Sequence, residues 1–465
     1  MKTRTIRTKI LSLLLAAIMV FSLLPVTALA ATVDNNYTPG TYTGTAWGYK
    51  SDVTITVTLA KDEEGVVKIS EITAEQDETA GMWAKAEKLL DTIKENNGTD
   101  GVDAVSGATY SSNAIIKATE EALGKAFAGF VGGTGAQNDP YLISSEAGLR
   151  YLQAQVASGK TYAGQYIKLT SDIALTGEWT PIGSSATYAF AGSFDGNGHT
   201  ISGMTVTDSS LGYVGLFGYT LNGVAIKNVK LTDVNINMPA AAQSVYAAAL
   251  VGFIKVNGSG TASSVIDNCF ASGRITVKNA DKITVVGGLA GFTDQRAAVT
   301  NCGTNVDINA DSGTQRATIG GLVAWASIQA LFMNDYALGN VTAATEHDTY
   351  GNVGGLFGQV NGIVYNVYSA GTVTLNTSKT AYKAGELAGD LAAATYADSC
   401  YYSGSGDAFG KGTGSYNSEN VVSKAGEIGT QAFADVLHNN LAPAALTAMA
   451  ERVKNAKVTG CTDFN

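Results

Sequence analysis

The sequence predicts two unlike parts: a small α+β domain, then an all-β repeat solenoid (β-helix-like) with helical end caps. Three observations carry this. Residues 37–130 alternate β-formers with polar residues and then change to helical spacing. From Val214 onward a glycine-rich motif returns every 31 to 39 residues. Past the last repeat, helical spacing returns in Gln431 to Leu437 and Ala444 to Val453.

The chain opens with Lys2, Arg4, Arg7 and Lys9, an apolar run from Ile10 to Val26, and Ala28-Leu29-Ala30. A basic start, an apolar stretch and a small-x-small site read as a secretory signal peptide over residues 1–30, cleaved after Ala30. The other reading is an uncleaved anchor. Removing four basic residues takes the formal charge from -10 to -14, and residues 31–130 contribute -8 of that. So acidic a chain argues against nucleic acid or anionic lipid as partners. It fits a secreted or cell-surface, extracytoplasmic protein.

In the first domain, residues 31–130, Thr41 to Trp47, Val53 to Leu59 and Val66 to Thr73 read as strands. Met82 to Asn96 reads as a helix with Met82, Ala86, Leu89, Leu90 and Ile93 on one face, and Ala114 to Phe127 as a second. Between them lies Asp103-Ala104-Val105-Ser106-Gly107-Ala108-Thr109-Tyr110-Ser111-Ser112. It is a turn feeding a helix N-terminus, where free amides and the helix dipole stabilise a phosphate. On residue types alone the hydroxyls of Ser106, Thr109, Ser111 and Ser112 serve equally well as helix caps without a ligand.

Val131-Gly132-Gly133-Thr134-Gly135 breaks the pattern, and residues 131–213 read as the N-terminal cap and first coils of the solenoid. There Asp139 to Ile143 predicts a short strand. Ser144 or Ser145 would cap a helix over Glu146 to Val156. The repeats span 214–403. Their first mark runs Gly215-Leu216-Phe217-Gly218, Ala249-Leu250-Val251-Gly252, Gly288-Leu289-Ala290-Gly291, Gly321-Leu322-Val323-Ala324, Gly355-Leu356-Phe357-Gly358 and Glu386-Leu387-Ala388-Gly389. A second mark begins at Asn228, Asn268, Asn301, Asn334, Asn366 and Ser399, 13 residues on in four units, 19 in one and 11 in another. Units this short bury an apolar face only by stacking. In Val229 to Ile236 near-alternation turns one face inward.

Cys269, Cys302 and Cys400 follow the second mark and are expected in the core as small apolar side chains, a Cys269–Cys302 bridge being the sharper alternative. No CxxC spacing and no histidine cluster supports a metal site. His199, beside the Asp195-Gly196-Asn197-Gly198 turns, reads as structural rather than catalytic. Residues 404–465 read as a Gly/Ser-rich loop over Ser403 to Asn417 and a helical cap closing the far end, with Pro443 at a helix start.

Two resemblances add to this. The repeats, with Trp179-Thr180-Pro181-Ile182-Gly183 and Phe194 to Ile201 upstream, resemble the GLUG motif of bacterial surface and adhesin-like proteins, which implies a scaffold or binding surface. Asp103-x-x-Ser106-Gly107-Ala108-Thr109 matches the flavinylation motif of FMN-binding domains, over about ninety residues that include Gly40 to Gly44 and Glu78-Thr79-Ala80-Gly81-Met82. That resemblance implies FMN joined covalently to Thr109 by a phosphoester, placed there by a separate flavin transferase. Asp103, Ser106, Gly107 and Ala108 would position the acceptor. Glu78, Thr79 and Met82 would flank the flavin, Glu78 as a proton partner or a solvated carboxylate. Trp47, Trp83 and Tyr110 are further candidates for shielding the ring. With no second catalytic domain legible, the expectation is an electron carrier between a membrane donor and an extracellular acceptor rather than a turnover enzyme. The alternative is a surface adhesin or ligand-binding repeat protein with an accessory flavin domain.

Overall fold

The computed structural model describes residues 32–455 apart from 35–36, 128, 222, 256–262, 280, 381 and 383. The proposed signal peptide and Cys461 lie outside the described residues. The chain divides into two compact units between Val131 and Gly132. Among the described residues no helix is long and apolar enough to cross a membrane.

In the first unit, β1 (Gly40–Trp47), β2 (Asp52–Lys61) and β3 (Val67–Gln76) form an antiparallel meander in that order. Alternation in β2 turns Val53, Ile55, Val57 and Leu59 to the interior, each no more than 2% exposed. Against that face pack α1 (Ala80–Ala86), α2 (Lys88–Glu95) and α3 (Thr109–Ala126). Sequence periodicity predicts one helix over Met82 to Asn96. The chain instead divides at Glu87, where Leu90 donates to the Glu87 carbonyl three residues back and tightens the turn. Ala86, Leu89 and Ile93 still share one buried face; Met82 does not join them.

The second unit begins with the strand Tyr141–Ile143 and α4 (Glu146–Ala157), whose N-cap Ser145 accepts from the Gly148 amide. It then winds as a parallel β-solenoid, with sheets of five, seven and twenty strands in which successive coils pair in register. The first mark forms a corner between the five- and seven-stranded sheets. Its leucines Leu216, Leu250, Leu289, Leu322, Leu356 and Leu387 all point inward, at most 2% exposed. At Gly288 a Cβ would stand 2.0 Å from the Gly321 carbonyl of the next coil, so backbone contact excludes any side chain. The 19-residue spacing reflects a longer connection between the strands Val251–Lys255 and Ser264–Asp267. The 11-residue spacing reflects the single-residue turn at Asn361 between Phe357–Val360 and Gly362–Ser369.

The second mark has its own cause. Asn228, Asn268, Asn301, Asn334 and Asn366 all adopt left-handed backbone, φ 51° to 62°, as does Ser399. Asparagine tolerates that conformation because its amide bonds locally. Here the amides also bond between coils: Asn268 to Asn228 at 2.8 Å, Asn301 to Asp267 at 2.9 Å, Asn334 to Asn301 at 2.8 Å, Asn366 to Asn334 at 3.3 Å. One position on, Cys269, Cys302 and Cys400 are buried free thiols. The Cys302 thiol donates to the Thr300 carbonyl, and burial pushes its pKa well above the usual value, which suits an inert core group. His199 sits on the surface 3.2 Å from Asp172. On the outer face of the seven-stranded sheet Tyr219, Phe253, Phe292 and Trp325 stand in one register column, and stack or meet edge to face at 4.6–5.0 Å.

The C-terminal region corrects one expectation. Ser403 to Asn417 is not simply a loop: Phe409–Gly412 and Ser415–Tyr416 pair with the preceding coil and, with Val421–Ser423, add one more turn of solenoid. Gly410 and Gly412 allow backbone pairing even though no Gly-Leu mark announces it. Helices α5 (Gln431–Asn440) and α6 (Pro443–Asn455) come next. They lie over the flank of the last coils. Met449 is buried among Ile363, Tyr365 and Tyr396, and Phe433 packs edge-on to Tyr368 and Tyr401. Asn440 continues the asparagine ladder to Asn366 at 2.9 Å, and Arg452 pairs with the buried Asp398 at 2.6 Å.

Substitutions test two of these features. Asn301→Ala removes two ladder bonds and places a Cβ-bearing residue without an amide at φ 56°. It should cost about 2 kcal/mol in urea unfolding, and Asn301→Gly less, because glycine takes that backbone freely. An unchanged midpoint in Asn301→Ala would refute the ladder's role. Glu120 on α3 is 9% exposed with one carboxylate oxygen unpartnered. Burial pushes its pKa up to about 7 against the opposing effects of Lys117 and a Thr99 hydrogen bond. An acid with a raised folded pKa contributes fully below its unfolded value, near 4.5, and has lost that contribution once pH has risen through the folded value of about 7. Glu120→Gln should therefore flatten a decline of roughly 3 kcal/mol in the first unit's stability over that interval. Parallel pH–stability curves for the two proteins would disprove this.

Candidate functional site

The motif predicted to carry chemistry is a tight turn ahead of α3. The Ala108 amide donates to the Val105 carbonyl at 3.0 Å, Gly107 takes φ 77°, and Thr109 is the first residue of the helix. The N-cap is Ala108, which supplies no side-chain cap. The four hydroxyls divide sharply. Ser111 and Ser112 are fully buried: Ser112 Oγ accepts from the Val105 amide at 3.1 Å, and Ser111 donates to Glu78. Thr109 is exposed, and no hydrogen bond to the described residues engages its hydroxyl. Capping without a ligand therefore does not account for Thr109: the inward serines brace the turn, and the threonine faces outward.

A cleft of about 250 Å³ opens beside it, lined by Tyr49, Met82, Gly107, Ala108, Thr109, Tyr110 and Ser111. Tyr49 and Tyr110 are 55% and 70% exposed, with ring centroids 6.3 Å apart, so aromatic surface faces the cleft and solvent rather than the core. Met82 reaches the cleft from α1. Thr79 precedes α1, its carbonyl accepting from the Met82 and Trp83 amides, and its side chain is exposed. Asp103 and Ser106 are exposed on the turn and do not line the cleft. Trp83 packs against the domain core, whereas Trp47 is 69% exposed at the end of β1. The Lys85 amine lies 3.3 Å from the point where a Cβ on Gly107 would stand, placing a cation at the motif.

Glu78 is buried, and both carboxylate oxygens are occupied. Oε1 accepts from the Lys50 amide at 2.7 Å and the Ser51 amide at 2.9 Å. Oε2 accepts from the Tyr49 amide at 3.0 Å and from the Ser111 hydroxyl. Burial alone would raise its pKa; the Ser111 hydroxyl and three amides outweigh that and hold it at about 2. It is therefore an ionised acceptor at neutral pH, neither a solvated carboxylate nor poised to exchange a proton. Gly48 makes room for it, since a Cβ there would stand 2.7 Å from Oε1. Tyr49 was missed by sequence reasoning; its one signal is an aromatic residue in the turn Gly48-Tyr49-Lys50-Ser51.

Residues 48–124 match the FMN-binding domain. That span contains the whole cleft, the Glu78 contacts and the motif, and it implies flavin binding by this part of the chain. Two curated relatives match. Halomucin of Haloquadratum walsbyi is 28% identical over 264 residues, 54% of this chain and 3% of its own length. A protein of Evansella cellulosilytica described as a Gly-rich membrane protein is 32% identical over 162 residues, 33% of this chain and 17% of its own length. The chain thus spans less than a fifth of either relative. Among solved structures, one described as an immunoglobulin A1 protease from Bacteroides ovatus is similar at 20% identity and a TM-score of 0.46, covering 62% of this chain and 86% of that one.

The Glu78 contacts predict acid sensitivity. A carboxylate with a lowered folded pKa contributes stability above its unfolded value, near 4.5, and loses it as pH falls toward 2. The FMN-binding domain should lose stability across that interval, and Glu78→Gln should remove that pH dependence while being less stable at pH 7. Identical acid titrations of circular dichroism for the two proteins would refute the assignment.

Proposed function

We propose that this protein is a secreted or cell-surface electron-transfer flavoprotein, its FMN joined through a phosphoester to the Thr109 hydroxyl. The observation that carries the reading is the outward, unengaged hydroxyl of Thr109 at an uncapped helix N-terminus, opening onto an aromatic cleft within a segment that matches the FMN-binding domain. The residues fit the group. First-turn amides and the helix dipole favour a phosphate, and the Lys85 amine adds charge at Gly107. Tyr49, Tyr110 and Met82 offer apolar surface for a planar ring. When bound, FMN supplies reversible one- and two-electron chemistry, and the protein supplies attachment and surroundings.

In this reading a separate flavin transferase takes FMN from FAD: the Thr109 hydroxyl oxygen bonds to the FMN phosphorus, the FAD pyrophosphate bond breaks, AMP leaves, and the hydroxyl proton is released. Electrons come from a membrane donor and leave to an extracellular acceptor. The motif's Asp103 and Ser106, exposed on the turn, are suited to recognition by the transferase rather than to contact with the ring. The repeats, GLUG-like in sequence, serve as a scaffold or an extended binding surface. The basic, apolar start of the chain and the names of the relatives, a mucin and a membrane protein, support an extracytoplasmic setting.

Intact mass decides the central claim. Expressed with a competent flavin transferase, the protein should gain the mass of FMN less water and turn yellow. Thr109→Ala should abolish the gain, and Thr109→Ser should keep it in part. An unmodified wild-type Thr109 under those conditions rejects the proposal.

A further inference from the structure

Glu78 does not line the cleft; it lies buried behind it and gathers donors from two separate elements. Three consecutive amides, Tyr49, Lys50 and Ser51, belong to the turn between β1 and β2. The fourth donor, the Ser111 hydroxyl, belongs to the first turn of α3, two residues beyond Thr109. One buried carboxylate thus joins the turn that bears Tyr49 to the helix that bears the acceptor. Ser51 adds a further tie, its Oγ accepting from the Asp77 amide at 3.1 Å.

We propose that Glu78 is a positioning residue for the flavin and not a flavin ligand: it holds Tyr49 against the start of α3, so that one wall of the ring's cleft is built before the cofactor arrives. The inference rests on the reading of Thr109 as the attachment site. Tyr49 is 55% exposed and touches Tyr110 only at 6.3 Å, so packing does little to fix it. What fixes its backbone, and so the origin of the side chain, is its own amide, bonded to Glu78. Replace one carboxylate oxygen by an NH2, as glutamine does, and the converging donors are no longer all satisfied, while the Thr109 hydroxyl, which bonds to none of them, stays where the helix puts it. Attachment and ring placement then separate. A covalently held flavin would remain on Thr109 but lose its tyrosine wall.

The test compares wild type, Glu78→Gln, Ser111→Ala and Tyr49→Ala, each made with the flavin transferase. Intact mass of the wild type comes first; no added FMN there defeats the reading of Thr109, independently of the three variants. Given attachment, a ring lying on tyrosine should be weakly fluorescent and poorly quenched by iodide. Glu78→Gln should retain the FMN mass, brighten several-fold and become more accessible to iodide. Tyr49→Ala should reproduce the brightening without altering amide exchange at residues 50 and 51. Hydrogen exchange gives a readout that needs no flavin: with the glutamine carbonyl kept by Lys50 and Ser51, the Tyr49 amide faces an NH2 in place of Oε2 and should exchange at least tenfold faster in Glu78→Gln, with a smaller effect in Ser111→Ala that keeps the proposal testable should Glu78→Gln fold poorly. A flavinylated Glu78→Gln with wild-type emission and iodide quenching overturns the proposal, as does unchanged exchange of the Tyr49 amide.

Discussion

In-register stacking of parallel coils is the constraint that shapes most of this molecule. Once Ile275 pairs with Ile308 and Ile308 with Val341, every position of one coil lies above its equivalent in the next. A residue that suits a position once suits it at every level, so the chain repeats chemistry rather than exact sequence. Leucine fills the inner corner because an apolar column must be continuous. Asparagine occupies the outer corner because it combines tolerance of left-handed backbone with an amide that bonds to the level above and below. Cys269, Cys302 and Asp335 show how far the rule stretches. Asp335 takes the same inner position as the cysteines, fully buried, its carboxylate accepting the Cys302 amide and its pKa raised well above the usual range by that burial.

The FMN-binding domain works on different terms. Its sheet is antiparallel and packs on an apolar core, while order around the motif comes from a few long-range polar contacts. Glu78 is 27 to 33 residues from its partners. Where the solenoid spreads its polar ties evenly over many levels, the domain concentrates them at the mouth of one helix. That concentration leaves Thr109 outward by elimination, since Ser111 and Ser112 are already committed to holding the turn.

Much of this was legible in residue order. The Leu and Asn marks, the β2 alternation and the motif ending at Thr109 are local patterns, and local patterns survive in a string. The hidden features are those that depend on distant partners. Glu78 reads as a surface acid until three amides of another turn are seen to converge on it. The last coil, Phe409 to Ser423, lacks the Gly-Leu mark because its pairing is carried by backbone alone. The helices on the flank did leave a trace. At the outward positions Ala298 and Thr300 the next coils carry Leu331 and Met333, then Ile363 and Tyr365. In these two columns large apolar residues appear at the levels that α6 covers.

The size of the cleft bears on why a covalent bond is proposed at all. Pockets that retain small ligands by affinity generally enclose roughly 300–1,000 Å³ and bury most of the ligand. This one is about 250 Å³ and its aromatic rim is more than half exposed, so it would cover only part of a flavin. Exposure is what an electron carrier needs, because a ring sealed from solvent is sealed from its partners too. Retention and access therefore oppose each other in any reversible site. On the proposed reading, anchoring the phosphate to a hydroxyl would resolve the conflict: the helix would hold the cofactor, the carboxylate behind Tyr49 would order the wall beside it, and the ring would stay open to whatever reduces and oxidises it.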